Sequence, residues 1–142
     1  MGLMWRGRRL EYVMRNLLFL VPAMLIAAPA AAAPDWRQAR EYDVLLSSFD
    51  IQPQIVKLKA GEPVRLRLIN NSTIAHSFAA GDFFSAGEVR PRDKQLVSGG
   101  KIEVGPGTER EVLIVPKAGR YGVRCGNLFH RIMGMSSRIV VE

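Results

Sequence analysis

The sequence predicts an all-β fold, a Greek-key β-sandwich of about seven to eight short strands. Three observations carry the expectation. Apolar and charged residues alternate with a period of two in several segments, most clearly across Pro63–Asn70. Clusters of Gly, Pro, Asn and Ser interrupt these segments about every ten residues, the rhythm of strands joined by short turns. Neither a heptad pattern nor an internal repeat competes with this reading.

Residues 1–32 read as a cleavable export signal. Arg6, Arg8, Arg9 and Arg15 form a positive start, Leu17–Ala28 an apolar run, and Pro29 with Ala30–Ala33 a small-residue cleavage region. The apolar run is shorter than the ~20 residues a bilayer-spanning helix needs, so an uncleaved anchor is the lesser reading. Cleavage after Ala32 leaves residues 33–41 as an N-terminal extension and residues 42–142 as the working domain, in the periplasm. Charge follows the same division. Of 20 Lys and Arg and 13 Asp and Glu, four arginines and one glutamate lie in the leader, leaving 16 against 12, a net of +4. The pI near 10.2 is therefore weak support for a nucleic-acid partner, and no aromatic-plus-basic motif adds to it.

Within the domain, Tyr42–Ser48 is the first strand candidate. Gln54–Leu58 sets Val56 and Leu58 on one face and Lys57 on the other, then turns at Ala60-Gly61-Glu62. Across Pro63–Asn70, Val64, Leu66 and Leu68 face inward and Arg65 and Arg67 outward, as in a strand with one buried face. Asn70–Thr73 is a turn cluster, and His76 opens the next short strand. Residues 80–99 are expected to be irregular with a helical turn, burying Phe83 and Phe84 and making a polar excursion over Glu88–Lys94. Lys101–Val104 and Arg110–Val115 flank a Gly105-Pro106-Gly107 turn. After a further turn at Pro116–Gly119, Tyr121, Val123 and Cys125 share one face. Met135–Val141 is the last strand, with Met135, Ile139 and Val141 on one side.

Cys125 is the sole cysteine, so no disulfide forms within the chain, and His76 and His130 are the two histidines. Taken singly, a cysteine is more often a small buried hydrophobe, and a methionine more often core filler. Their joint placement argues otherwise. Cys125 ends one strand, His130 sits in the following loop, and Met135 heads the next strand, so three soft donors converge at one end of the sandwich. His76 would close the set from the opposite sheet. Two imidazoles and a thiolate with a weak axial thioether form the donor set of a mononuclear type 1 (blue) copper electron-transfer site. Zinc would use the same Cys and His but gain nothing from Met. Met133 is the competing thioether.

Cys-x4-His-x4-Met followed by a strand, with an upstream Asn-rich turn and His-Ser-Phe, resembles the cupredoxin family, the blue copper proteins that include plastocyanin and azurin. The ligand spacing is most similar to that of rusticyanin, although Leu128-Phe129 stand where the family often has Pro or Pro-Gly. The resemblance covers Tyr42 to Glu142. It implies one copper ion with His76, Cys125 and His130 as equatorial ligands and Met135, preceded by Gly134, as the axial one. It also implies a monomeric electron carrier, not an enzyme, with no small-molecule substrate and with transient redox partners such as cytochromes. His130 would reach the surface through an apolar rim of Leu128, Phe129, Ile132 and Met133, with Arg90, Arg92, Lys94 and Arg131 as steering charges. The rival reading is a copper carrier that uses the same ligands to hold and deliver the ion.

Overall fold

The alternation of Val64–Asn70 requires one apolar neighbour and one wet face, and the architecture supplies both. A computed structural model describes residues 32–127, 130 and 132–142. The export signal expected over residues 1–32 lies, but for Ala32, outside the described residues, as do Leu128, Phe129 and Arg131 of the apolar rim and steering charges. In chain order the strands are β1 (Arg40–Leu46), β2 (Ile51–Gln52), β3 (Ile55–Leu58), β4 (Val64–Asn70), β5 (His76–Ala79), β6 (Glu88–Val89), β7 (Lys101–Val104), β8 (Glu109–Val115), β9 (Gly119–Arg124) and β10 (Ser136–Val141). Helix α1 (Gly81–Ala86) lies between β5 and β6, and 3-10 segments of three and six residues occupy Trp36–Gln38 and Pro91–Leu96.

The strands form two five-stranded sheets, ordered β2-β1-β4-β8-β6 and β3-β10-β9-β5-β7. Each sheet is mixed. Strand β1 runs parallel to β4, from Arg40 opposite Val64 to Leu46 opposite Asn70. In the other sheet β10 runs parallel to β3 and antiparallel to β9. Val44, Leu66, Leu68 and Ile114 from the first sheet meet Val56, Phe78, Val104 and Ile139 from the second, all buried in one apolar cluster. On the outer face of β4, Arg65 pairs with Glu111 at 3.1 Å, and Arg67 with Glu41 and Asp43 at 3.1 Å each. Such half-exposed pairs are worth about 0–1 kcal/mol. Burial of the inner face holds the strand in place.

The all-β sandwich expected from the sequence is the fold observed. The ten strands among the described residues include two of two residues, so eight longer strands remain. Strand β1 starts at Arg40, ahead of the expected Tyr42. Arg40 and Glu41 are exposed and carry no apolar signal, yet their backbone is zipped to β4. Residues 80–99 contain the expected helical turn, and Phe83 and Phe84 are buried. The polar excursion is more ordered than its composition suggests. Val89 is buried where β6 pairs with β8, and Asp93 is buried beneath it. The Asp93 carboxylate accepts two hydrogen bonds from the Arg90 guanidinium at 2.8 and 2.9 Å and one from the Leu113 amide at 3.0 Å. Covered this way, β8 buries Val112, Leu113 and Ile114 in succession, on both faces.

Replacing Asp93 strands a half-buried guanidinium and a buried amide together. Asp93→Ala should lower stability by about 3–5 kcal/mol, the usual cost of breaking a buried pair from one side. Urea midpoints of the purified protein measure it, and a loss no greater than that of an exposed-residue control would refute this account of the segment.

Candidate metal centre

The sequence-predicted donors meet at one end of the second sheet. His76 is the first residue of β5, and Cys125 directly follows β9. These two strands are antiparallel neighbours, with Ala79, the last residue of β5, opposite Arg124, the last of β9, so β5 runs alongside the residues that directly follow β9. His76 therefore reaches Cys125 from the same sheet. The expectation that it arrives from the opposite sheet is corrected, because separation along the chain carries no information about which sheet a strand joins.

Cys125 Sγ lies 3.4 Å from His130 Nδ1 and 3.9 Å from His76 Nδ1. All three side chains are buried, and one ligand atom from each lies within 4.8 Å of the others. A single ion with metal–sulfur and metal–nitrogen distances of ~2.3 and ~2.0 Å would hold S and N about 3.5–3.7 Å apart, for angles from tetrahedral to trigonal. The observed separations bracket that value. The donor set fits one metal ion without rearrangement of the backbone. The imidazole rings stand 4.9 Å apart and tilted by 50°, with both Nδ1 atoms turned to the sulfur.

The segment that carries the loop donors is closed by its own backbone. The Met135 amide donates to the His130 carbonyl at 3.0 Å, and the Cys125 amide to the Met135 carbonyl at 3.3 Å. Gly134, with φ of 89°, reverses the chain between the two methionines, a conformation that glycine adopts without a Cβ clash. The consequence is a sharp difference in burial. Met135 is 0% exposed and packs in the same cluster as Cys125, whereas Met133 is 54% exposed. That difference favours Met135 as the thioether available to the site.

His130 departs from expectation. It is 5% exposed rather than open at the surface, and Phe49, from the turn between β1 and β2, stands edge-on to its ring at 5.8 Å. The surface nearby is apolar, with Ile132 and Met133 exposed, and Ile74 and Phe49 exposed as well. Arg90 is tied to buried Asp93 and is poorly placed to steer a partner. Phe49, Ser72 and Ser77 were not singled out from the sequence. The Ser77 hydroxyl accepts a 2.6 Å hydrogen bond from the Gly126 amide, and the Ser72 hydroxyl lies 2.9 Å from His76 Nε2. A serine four residues before His76 and another directly after it were the available signal.

Burial, and then the nearby His130 imidazole, hold His76 below its ordinary value of about 6.5. The neutral, ligand-competent form is thus favoured at neutral pH. In the metal-free protein the unfolded chain binds the proton first, so the His76 contribution to stability is complete above about pH 6.5 and is lost as pH falls through the lowered folded-state value. Denaturation midpoints measured against pH should decline below 6.5, and His76→Gln should flatten part of that decline. An unchanged slope in the variant would contradict the assignment.

No protein-family model and no curated protein matches this sequence. Solved structures do match. An auracyanin B is 15% identical, aligning over 80% of this chain and 93% of its own with a TM-score of 0.55. A sodium-dithionite-reduced auracyanin from the photosynthetic bacterium Roseiflexus castenholzii is 12% identical, over 73% of this chain and 98% of its own, with a TM-score of 0.56. At such identities the likeness speaks for the fold, and the chain has the cupredoxin sandwich fold that the auracyanins share.

Proposed function

We propose that this protein is a mononuclear type 1 copper protein that carries single electrons between redox partners in the periplasm. The observation that carries the proposal is the donor geometry: one thiol sulfur 3.4 and 3.9 Å from two imidazole Nδ1 atoms, buried beside a thioether residue. His76, Cys125 and His130 would hold the ion as its strong donors, with Met135 as a weak thioether donor. Bound there, copper supplies a Cu(II)/Cu(I) couple that takes up and releases one electron. The protein's own part is to hold soft and borderline donors in a fixed arrangement that suits both oxidation states, and to keep water out.

Three further observations support an electron carrier. The fold is that of the auracyanins, one of which is described in a reduced form. The donors are closed off by the core, an arrangement better suited to outer-sphere electron transfer than to ligand exchange with a receiving protein. The exposed apolar side chains of Ile74, Ile132 and Met133 are suited to brief, weakly polar encounters with a partner such as a cytochrome. The leader-like residues 1–32 support export, where a lone thiol would be protected by the metal.

Titrating Cu(II) into the metal-free protein tests the reading. An intense visible thiolate-to-copper band with narrow hyperfine splitting is expected, and Cys125→Ser should abolish it. Met135→Leu should raise the reduction potential, because losing a donor in a water-excluded site costs the more highly charged Cu(II) more than Cu(I), while Met133→Leu leaves it nearly unchanged. Tight Cu(I) binding without a coloured Cu(II) form would replace the electron carrier with a copper carrier. Failure to bind copper in either state would remove the metal altogether.

A further inference from the structure

Asn70 ends β4 and is buried, and its side chain connects three parts of the molecule. Its amide nitrogen donates to the carbonyls of Ile74 at 2.8 Å and of Val104 and Gly105 at 3.0 Å each. Three carbonyl oxygens around one end of the amide determine its orientation, because a flipped amide would set oxygen against oxygen. The Asn70 Oδ1 atom consequently faces Ser72 and accepts from the Ser72 amide at 2.9 Å and from the Ser72 hydroxyl at 2.8 Å.

The Ser72 hydroxyl has one proton to give. Two of its neighbours, Asn70 Oδ1 and the Ile74 carbonyl at 3.0 Å, are oxygens that only accept. Its other neighbours are the Ile74 amide at 3.4 Å, which only donates to it, and His76 Nε2 at 2.9 Å. If the hydroxyl proton pointed to the imidazole, both oxygens would face a bare hydroxyl lone pair at close range. With the proton committed to either oxygen, the remaining contact is satisfied only when Nε2–H donates to Ser72 Oγ. A neutral imidazole protonated at Nε2 is bare at Nδ1, the atom turned toward Cys125 Sγ.

We infer that Ser72, oriented by Asn70, is a positioning residue that locks His76 in its Nε2–H tautomer and presents the Nδ1 lone pair to the metal position. The significance of that lone pair rests on the reading of His76 as a ligand. The tautomer itself does not, since the hydrogen bonds that set it are present without a metal. A ligand histidine whose second nitrogen is hydrogen-bonded loses less freedom on binding and is the stronger base, and removal of such partners typically costs about 10–100-fold in metal affinity.

Ring 15N shifts of His76 in the metal-free protein, recorded where the imidazole is neutral, decide the inference. The expected pattern is a pyrrole-like Nε2 and a pyridine-like Nδ1. Ser72→Ala should release the ring into exchange between tautomers, and Ser72→Thr, which keeps the hydroxyl, should restore the single form. A purely structural serine would leave the tautomer untouched while lowering the unfolding midpoint. In Cu(II) competition titrations Ser72→Ala should bind about 10–100-fold more weakly than wild type. A wild-type ring already mixed or protonated at Nδ1 overturns the inference and leaves copper binding standing. A locked ring in a protein that does not bind copper overturns the proposed function and leaves the inference standing.

Discussion

The 2.6 Å hydrogen bond from the Gly126 amide to the Ser77 hydroxyl is the constraint on which the metal-facing end of the molecule depends. Strands β5 and β9 share a short ladder, with Ala79 opposite Arg124. Past that point the chains must stay together, so that His76 and Cys125 can face one position, although His76 is paired with β7 on its other side and no longer with β9. The serine side chain takes over from the ladder there, joining the residue after one donor to the residue after the other. There is no spare room in this tie. A Cβ on Gly126 would collide with the Ser77 hydroxyl, so glycine is needed for closeness of approach rather than for its dihedral range.

The same end of the molecule reconciles a polar function with an apolar core. Cys125 and Met135 belong to the hydrophobic cluster as fully as Val123 or Ile139 do. Sulfur side chains tolerate such surroundings because thiol and thioether are weak hydrogen-bonding groups and pack like small hydrophobes. The imidazole is the costly member, since a buried ring nitrogen without a partner loses its bonds to water. His76 meets that demand on one side through Ser72 and, by remaining neutral, avoids burying a charge. Packing and donor placement are therefore one problem here, solved by the same side chains.

The legible parts of the sequence were those where a local pattern reports a global environment. Val64, Leu66 and Leu68 alternate with arginines because β4 has one buried face, and the pattern survives in the fold. The Cys125, His130 and Met135 intervals were readable because the loop between β9 and β10 is short enough to force its donors together. Strands β2 and β6, at two residues each, have no periodicity to read. The neighbour of β5 was misassigned because adjacency in a sheet is a long-range property. The hydrogen bond between His76 and Ser72, like the edge contact of Phe49 with His130, arises when turns fold back over the donors, and such contacts leave no local pattern in the sequence.

The place of β10 in its sheet has a consequence for the order of events in folding. It lies between β3 and β9, parallel to one and antiparallel to the other, although it is the farthest of the described strands along the chain. Until Ser136–Val141 has docked, β3 and β9 have no strand to bridge them, and the carbonyl of Met135 is not in place to receive the Cys125 amide. A chain in which this strand has not docked therefore leaves the Cys125 thiol and a sheet edge open together, and the same strand closes both.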